Sequence, residues 1–317
     1  MVEDIRWLKT HCSRMDHGGC AILVGVRDNR IVKIKGDPEG FLNRGYVCPK
    51  GLASADRLTH PSRLKHPLKR AGERGAGRWD RISWPEALEE ISGNLNRIRE
   101  EHGPKSVVFG QGMPKGLELF GLIRLATLFG SPNVIAVQDV CHAPREVSGV
   151  HTCGFYPVVD FHHPTKLMVL WASNVTSTNE EGQVCSLLID QLRQGTPLLV
   201  IDPRRTPLAE RAKLWLQVRP GADNALALGF LNVVISEGLY DRDFAREWTH
   251  GFEELSGQVA EFTPERVSET TWVPASTIRE AARLYASARP AAIQWGNPIE
   301  QNIHTFDTAR AILCLMA

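Results

Sequence analysis

Apolar and polar residues alternate along the chain in patterns that predict its secondary structure. Two short apolar-rich runs, at 21–27 and 30–35, flank a polar turn and predict a β-hairpin. Ser83 and Glu86 form a capping box that predicts the start of a helix. Behind it, apolar residues recur at helical spacing at Leu88, Ile91, Leu95 and Ile98.

From residue 105 onward, predicted strands and helices alternate. The predicted strands cover 106–109, 133–137, 167–171, 197–201, 215–218 and 291–295. The predicted helices cover 117–129, part of 180–193, 225–235 and most of 240–288. Residues 60–80 are rich in Pro, Gly, Lys and Arg and are predicted to be a linker. Alternating strands and helices indicate an α/β fold whose sheet is largely parallel and covered on both faces.

Composition narrows the class of protein. The chain has 317 residues, of which 43% are hydrophobic and 23% charged, so it is an ordinary globular sequence with length for about two domains. Its net charge of +1 gives no global field that favours nucleic acid. No secretory or twin-arginine signal begins it, and no run approaches the roughly 20 apolar residues of a membrane span. We therefore expect a cytoplasmic protein, in which seven cysteines suggest metal ligands rather than disulfides.

Three of these cysteines, Cys12, Cys20 and Cys48, lie on either side of the predicted hairpin. Thiolates are soft ligands that suit iron–sulfur clusters and zinc. A cluster held by cysteine alone needs four thiolates, and this segment offers three. From spacing alone, ordinary cysteines in a small β-unit are an equal alternative.

The segment from His11 to Gly51 resembles the N-terminal cluster domain of molybdopterin oxidoreductases of the dimethyl-sulfoxide-reductase superfamily. That family carries C-x2-C-x3-C and, after a hairpin, a fourth cysteine in a C-P-K-G context. Cys20 matches the third family cysteine and Cys48 the fourth, with 27 residues between them. The resemblance implies a [4Fe–4S] cluster, and it places Lys50 between this cluster and a pterin, on the electron path.

The motif departs from the family pattern at its second cysteine. Counted back from Cys20, that position falls on Asp16, and Cys12 then lies one residue too far upstream. Asp16, His17 or His11 could be the fourth ligand, and a three-iron cluster or loss of the cluster are further alternatives. Acetylene-hydratase-type members carry an Asp next to their second cluster cysteine, which Asp16 could mimic.

Cys141 is followed by His142, and a lone cysteine after a strand is by default a core residue. The resemblance instead implies that Cys141 is a ligand of molybdenum or tungsten, because the family ligand precedes a glycine-containing segment and an Asp. Here these are Gly149, Gly154 and Asp160. The Cys-His pair is similar to that of formate-dehydrogenase-type members, and a histidine can move protons near neutral pH.

Several polar motifs follow predicted strands, where nucleotides bind α/β sheets. The motifs resemble the family's W-G-x-N, D-P-R-x-T and R-P-G-x-D-x-A-L, with Ala172 in place of the first glycine. A carboxylate suits the N–H edge of guanine, and arginine suits phosphate. Asp223 could cap the following helix or contact the cofactor. The resemblance implies that the cofactor is bound by Trp171, Asn174, Asp202, Pro203, Arg204, Thr206, Gly221 and Asp223.

The resemblance as a whole implies a molybdenum or tungsten bis(molybdopterin guanine dinucleotide) oxidoreductase. We expect an iron–sulfur domain at 1–60, a partial α/β domain at 61–132 and a dinucleotide-binding α/β domain at 133–317. Relative to the family the fold is incomplete, so we expect a fragment or split gene, or a chain completed by another polypeptide or an electron-transfer subunit. The reaction would be two-electron or oxygen-atom transfer on a small substrate. A tungsten-dependent hydratase and a non-catalytic scaffold or electron-transfer fragment are the alternatives.

Overall fold

The computed structural model describes residues 5–12, 19–112, 117–137, 141–178 and 182–317. The chain divides into two compact units, Met1–Val137 and Gln138–Ala317. The predicted α/β fold with a β-rich N-terminal part is confirmed. The predicted three-part domain division stays a prediction.

The first unit begins with a three-stranded antiparallel sheet in the order β1-β2-β3. The strands are β1 (Arg6–His11), β2 (Ala21–Arg27) and β3 (Arg30–Gly36), and two short helices follow, α1 (Pro49–Leu52) and α2 (Ser54–Thr59). The predicted hairpin of β2 and β3 is confirmed. Strand β1 was not predicted because all six of its residues are exposed, so it has no apolar alternation that would reveal a strand.

The predicted linker at 60–80 is partly wrong. It contains β4 (Leu68–Arg70), which pairs antiparallel with β5 (Trp79–Arg81). Every residue of both strands is exposed, so this hairpin has no buried face that the sequence pattern could show. The capping box is confirmed, because Ser83 is the N-cap of α3 (Trp84–His102) and exchanges hydrogen bonds with Glu86.

The rest of the first unit contains β6 (Phe109–Gln111), α4 (Leu117–Phe129) and β7 (Val134–Ala136). Helix α4 and strand β7 confirm the predictions, and β6 pairs parallel with β7. The strand predicted at 106–109 was placed too early, because Pro104–Ser106 form a 3-10 turn. Proline at the first position of this turn has a fixed φ that suits helical backbone.

The second unit is built on a four-stranded parallel sheet in the order β10-β9-β8-β11. Its strands are β8 (Leu167–Trp171), β9 (Leu198–Ile201), β10 (Leu214–Leu216) and β11 (Ala291–Trp295). The helices are α5 (Ala143–Cys153), α6 (Val175–Thr178), α7 (Gly182–Arg193), α8 (Pro207–Arg211), α9 (Asp223–Ser236), α10 (Arg242–Trp248), α11 (Phe252–Val259), α12 (Pro264–Thr271), α13 (Ala275–Ser287) and α14 (Thr305–Met316). All four strands and the helical stretch at 240–288 were predicted, with small differences at their ends.

Helices cover both faces of this sheet. Leu167, Val169 and Trp171 of β8 belong to one core cluster, which includes residues of α9, α13 and α14. Met168 and Leu170 belong to a second cluster, which includes residues of α7 and α8. Both faces of β8 are therefore buried, which explains its uninterrupted run of apolar residues. In the part of the chain that the structure describes, no helix combines the length and the apolar character that crossing a bilayer requires.

Candidate functional site

The carboxyl ends of the parallel strands bring three polar loops to one edge of the sheet. The backbone N–H of Ala172 donates to the carbonyl of Ile201 at 2.7 Å, and the N–H of Gly296 donates to the carbonyl of Trp171 at 2.9 Å. The loops that follow β8, β9 and β11 therefore leave the sheet side by side. This edge is where α/β sheets bind nucleotides and other ligands.

Two small residues allow the loops after β8 and β11 to approach each other. A Cβ atom added to Gly296 would lie 2.0 Å from the carbonyl oxygen of Ala172, so no side chain fits there without a backbone shift. Ala172 has a φ of 50°, in the left-handed region that favours glycine. The family pattern has glycine at this position, and alanine keeps the same backbone at a cost of about 1 kcal/mol.

Trp171 and Asp223 form a buried contact below this edge. The indole Nε1 of Trp171 donates to Oδ1 of Asp223 at 2.8 Å. Burial raises the pKa of Asp223, the Trp171 hydrogen bond lowers it, and the charge of Asp202 raises it further. The N-cap of α9 is Ala222, so the alternative in which Asp223 caps this helix is wrong.

The segment Asp202–Thr206 forms a tight turn after β9. The buried Oδ1 of Asp202 accepts from the backbone N–H of Arg204 at 2.8 Å, whereas the side chain of Arg204 is 72% exposed. Gln217 Nε2 donates to the carbonyl of Pro203 at 3.1 Å. Thr206 is the N-cap of α8, because its Oγ1 accepts from the N–H of Ala209. The turn thus holds a carboxylate inside and leaves a guanidinium outside, where it can meet phosphate.

Asn174 supplies a test of whether this edge fits a dinucleotide. Its Oδ1 is buried and has no hydrogen-bond partner among the described residues. A buried acceptor without a partner is costly, so a ligand that donates a hydrogen bond would relieve it. Gly221, with a φ of 82°, makes the turn that leads to Asp223, and nothing lies within 4 Å of a Cβ added there. The buried acceptor of Asn174, together with the carboxylate of Asp202 and the guanidinium of Arg204, fits the guanine end of a pterin dinucleotide.

Cys141 lies immediately before His142, the N-cap of α5, and is buried. Its Sγ accepts a hydrogen bond from Nδ2 of Asn297 at 3.7 Å. Asn297 follows Gly296, whose N–H is hydrogen-bonded to the carbonyl of Trp171, so the structure brings the sulfur to the same edge as the residues predicted to bind the dinucleotide. Beside it, Nδ1 of His142 lies 3.4 Å from the hydroxyl of Tyr156, a pair through which a proton can pass.

Three functional candidates in this region were not predicted from the sequence: Arg145, Tyr156 and Glu300. Arg145 donates from Nε to Oε1 of Glu300 at 2.5 Å and from Nη2 to the carbonyl of Trp295 at 3.1 Å. Tyr156 contacts His142 as described. No local signal could have found Arg145, because its partners Trp295 and Glu300 lie 150 and 155 residues further along the chain.

The N-terminal cysteines occupy one small region of the first unit. The N–H of Cys12 donates to the carbonyl of Cys20 at 2.9 Å. Cys48 is the N-cap of α1, and a Cβ added to Gly51, three residues on, would lie 3.5 Å from Sγ of Cys12. Lys50 lies half-buried in α1. The thiolates of this region suit an iron–sulfur cluster.

The fourth cluster ligand is not assigned by the structure. Asp16 and His17 lie outside the described residues. Among the residues that are described, no group of three or more His, Cys, Asp or Glu side chains is arranged to hold a metal ion. His11 lies at the end of β1. The roles of Cys12, Asp16, Cys20 and Cys48 as cluster ligands therefore stay predictions.

Asn43 connects the two cysteine-bearing segments. Its Oδ1 accepts from the N–H of Ala21 at 3.0 Å, and its Nδ2 donates to the carbonyls of Ala21 at 2.9 Å and Tyr46 at 2.6 Å. Ala21 follows Cys20, and Tyr46 lies two residues before Cys48. The buried amide thus fixes the backbone beside both cysteines.

Comparisons with known proteins show the family to which the chain belongs. Residues 63–317 match the family described as molybdopterin oxidoreductase, and residues 5–60 match the molybdopterin oxidoreductase Fe4S4 domain. The chain is 37% identical to acetylene hydratase of Syntrophotalea acetylenica, over 94% of this chain and 41% of that protein. It is 32% identical to formate dehydrogenase H of Escherichia coli, over 94% of this chain and 42% of that protein.

A solved structure is similar as well. Acetylene hydratase from Pelobacter acetylenicus superposes with a TM-score of 0.84 at 33% identity, covering 98% of this chain and 43% of that one. The thiosulfate reductase molybdopterin-containing subunit of Salmonella typhimurium is 34% identical, over 86% of this chain and 36% of that protein. The chain thus spans about two fifths of the length of the relatives that it matches.

Proposed function

This chain belongs to the molybdopterin oxidoreductases of the dimethyl-sulfoxide-reductase superfamily, and from that premise we propose that it is part of a catalytic subunit that acts on a small substrate. The predicted family is confirmed, and so are the predicted cofactor classes, an iron–sulfur cluster and a pterin that carries molybdenum or tungsten. When bound, the metal supplies two-electron redox or oxygen-atom transfer.

The contact between Cys141 and Asn297 carries this proposal. It holds a buried sulfur at the carboxyl edge of the sheet, the same edge that carries the turn of Asp202 and the buried acceptor of Asn174. A thiolate there can ligate a metal whose other ligands are dithiolenes.

The other predicted residues have roles that follow from their positions. Asp202 and Asn174 would bind the guanine of the cofactor, and Arg204 would bind its phosphates. His142, with Tyr156 beside it, would move a proton to or from substrate. Lys50 would lie on the path along which electrons leave towards the cluster. An electron-transfer subunit, or a polypeptide that completes the cofactor site, would be the partner, and a cytoplasmic location stays a prediction.

Metal and pterin analysis of the anaerobically purified protein tests the proposal. We expect iron, sulfide and molybdenum or tungsten with a pterin nucleotide, and a metal–sulfur bond that is lost from Cys141→Ala in X-ray absorption spectra. Cys185→Ala is the matched control, because Cys185 is also a buried cysteine of the second unit but lies in α7. Iron without molybdenum, tungsten or pterin would contradict the proposal and favour a non-catalytic electron-transfer fragment.

A tungsten-dependent hydratase is the second candidate, favoured by the similarity to acetylene hydratase in both sequence and structure. Bound tungsten would then supply Lewis-acid activation of water, and Asp16 would be the candidate carboxylate that takes up a proton. The two candidates differ in their need for an electron acceptor. Conversion of acetylene to acetaldehyde without any acceptor, lost in Asp16→Asn, would favour the hydratase. Substrate turnover that depends on an acceptor and cycles the cluster would exclude it.

A further inference from the structure

Asn297 is the residue through which the loop after β11 contacts the sulfur of Cys141. The two residues are 156 positions apart, and the amide Nδ2 lies 3.7 Å from Sγ. Asn297 begins a short 3-10 turn, Asn297–Ile299, immediately after Gly296. Because the N–H of Gly296 is hydrogen-bonded to the carbonyl of Trp171, the last residue of β8, the sheet sets the position of Asn297.

A buried ion pair joins the two segments that carry this contact. Glu300 lies three residues after Asn297, and Arg145 lies four residues after Cys141. Their side chains are 0% and 11% exposed, respectively, and they form a salt bridge. Oε1 of Glu300 also accepts from Nε1 of Trp295 at 3.0 Å. The guanidinium of Arg145 lies 5.0 Å from the centre of the Trp295 ring.

Buried ion pairs are weak evidence for stability, because removing two charges from water offsets their attraction. The position of the Arg145–Glu300 pair explains it better than stability does. It ties the first turn of α5, which follows Cys141, to the turn that contains Asn297, with Trp295 between them. Neither segment can move relative to the other without breaking a buried, charge-assisted hydrogen bond.

We propose that Asn297 is a positioning residue that orients and tunes the Cys141 sulfur, and that the Arg145–Glu300 pair holds it in place. The inference rests on the proposed role of Cys141 as a metal ligand. A hydrogen bond donated to a ligand sulfur withdraws electron density from it and restricts its orientation, and such outer partners tune metal sites. The donor should therefore raise the reduction potential of a metal bound to Cys141.

Asn297→Leu removes the donor and keeps a side chain of similar size. The matched control is Asn302→Leu, because Asn302 also donates to this loop, to the carbonyl of Ile299 at 3.0 Å, without contacting Cys141. The metal-loaded proteins are compared by the reduction potential of the metal and by its X-ray absorption spectrum. The metal-free proteins are compared by the rate at which iodoacetamide alkylates Cys141, followed by mass spectrometry at one neutral pH.

We expect Asn297→Leu to lower the reduction potential and to slow alkylation of Cys141 by roughly fivefold, the factor that one net hydrogen bond contributes. Asn302→Leu should change neither. A metal bound through Cys141 whose potential is the same in Asn297→Leu overturns this inference and leaves the proposed function intact. Slower alkylation in a protein whose metal has no Cys141 bond supports the hydrogen bond and overturns the proposed function. Unchanged alkylation in a protein that binds no metal overturns the inference as well.

The ion pair is tested by the double variant Arg145→Met with Glu300→Gln. It removes both charges together, so no buried charge is left unpaired, and glutamine still accepts from Trp295. We expect the potential to shift in the same direction as in Asn297→Leu while the thermal midpoint stays near that of the unaltered protein. A folded double variant with an unchanged potential would overturn the positioning role of the pair.

Discussion

The indole of Trp171 donates a hydrogen bond to the carboxylate of Asp223 at 2.8 Å, and this contact joins the last residue of β8 to the first residue of α9. Both side chains are buried, and Asp202 adds its charge to the same region. The sheet edge that carries the proposed dinucleotide site is therefore built on a buried carboxylate whose pKa is raised. Such a group disfavours the folded state when it is ionised.

Asp223→Asn should make the free energy of unfolding less dependent on pH. The pKa of Asp223 is raised from 3.8 in the folded state, chiefly by burial, so the folded state binds this proton more tightly than the unfolded state. Stability from this group is present below the unfolded pKa and is lost as pH rises through the folded pKa. The asparagine variant has no such loss, and its Oδ1 still accepts from Trp171.

Urea unfolding at several pH values, from pH near 4 to pH 7, measures this difference. The free energy of unfolding of the asparagine variant, relative to the unaltered protein, should rise across this interval. A difference in free energy of unfolding that stays constant with pH would contradict a raised pKa for Asp223. Asp190→Asn is the control, because Asp190 is an exposed residue of α7 with an arginine neighbour on the same helix.

Asp202→Asn should weaken retention of the pterin dinucleotide. The buried carboxylate holds the Asp202–Thr206 turn through Arg204 and is the group best suited to the N–H edge of guanine. An amide of the same shape keeps the turn but loses the charge, so we expect about tenfold weaker binding. The measurement is pterin content after dialysis, with Asp190→Asn as the control. Equal content in Asp202→Asn and the unaltered protein would exclude this role.

Asn43→Ala should lower the iron content of the protein. The variant loses three part-buried hydrogen bonds to backbone groups beside Cys20 and Cys48, so it should cost about 2–3 kcal/mol in stability. Iron and sulfide per chain are measured after anaerobic reconstitution, together with the thermal midpoint. Asn94→Ala is the control, because Asn94 also donates to a backbone carbonyl but lies exposed on α3. Full iron content in Asn43→Ala would show that the cysteines hold their positions without it.

The sequence predicted those parts of the fold that leave a periodic trace. Strands β8 and β9 have continuous apolar runs because they lie inside a covered parallel sheet, and the capping box of Ser83 is a local signal. The hairpin of β4 and β5 left no trace because all its residues are exposed. In the site, Cys141 and the Asp202–Thr206 turn were predicted from local motifs.

The contacts between distant parts of the chain could not be predicted in this way. Asn297 and Cys141 are 156 residues apart, and Arg145 and Glu300 are 155 apart, so only the closure of the sheet brings them together. The local sequence of Asn297 carries no sign of a contact with Cys141. Such pairs become visible only in the folded structure.

Ala172→Gly and Gly296→Ala should change stability in opposite directions. Ala172 has a φ of 50°, and glycine adopts this backbone without strain, so Ala172→Gly should stabilise the protein by up to about 1 kcal/mol. A Cβ at Gly296 would lie 2.0 Å from the carbonyl oxygen of Ala172, so Gly296→Ala must displace backbone at the site and should destabilise by about 2–4 kcal/mol.

Urea unfolding of the two single variants and of the double variant measures these changes, with Gly93→Ala as a control for glycine replacement away from the site. Gly93 lies in α3, and nothing lies within 4 Å of its Cβ position, so alanine there should stabilise slightly. In the double variant the cost of Gly296→Ala should be smaller, because the Ala172→Gly change gives the carbonyl more room to move, and contacting residues are not additive. A Gly296→Ala protein as stable as the unaltered one would mean that the loops after β8 and β11 do not approach each other closely. The two hydrogen bonds that link Trp171 to Gly296 and Asn297 to Cys141 would then lose their physical basis.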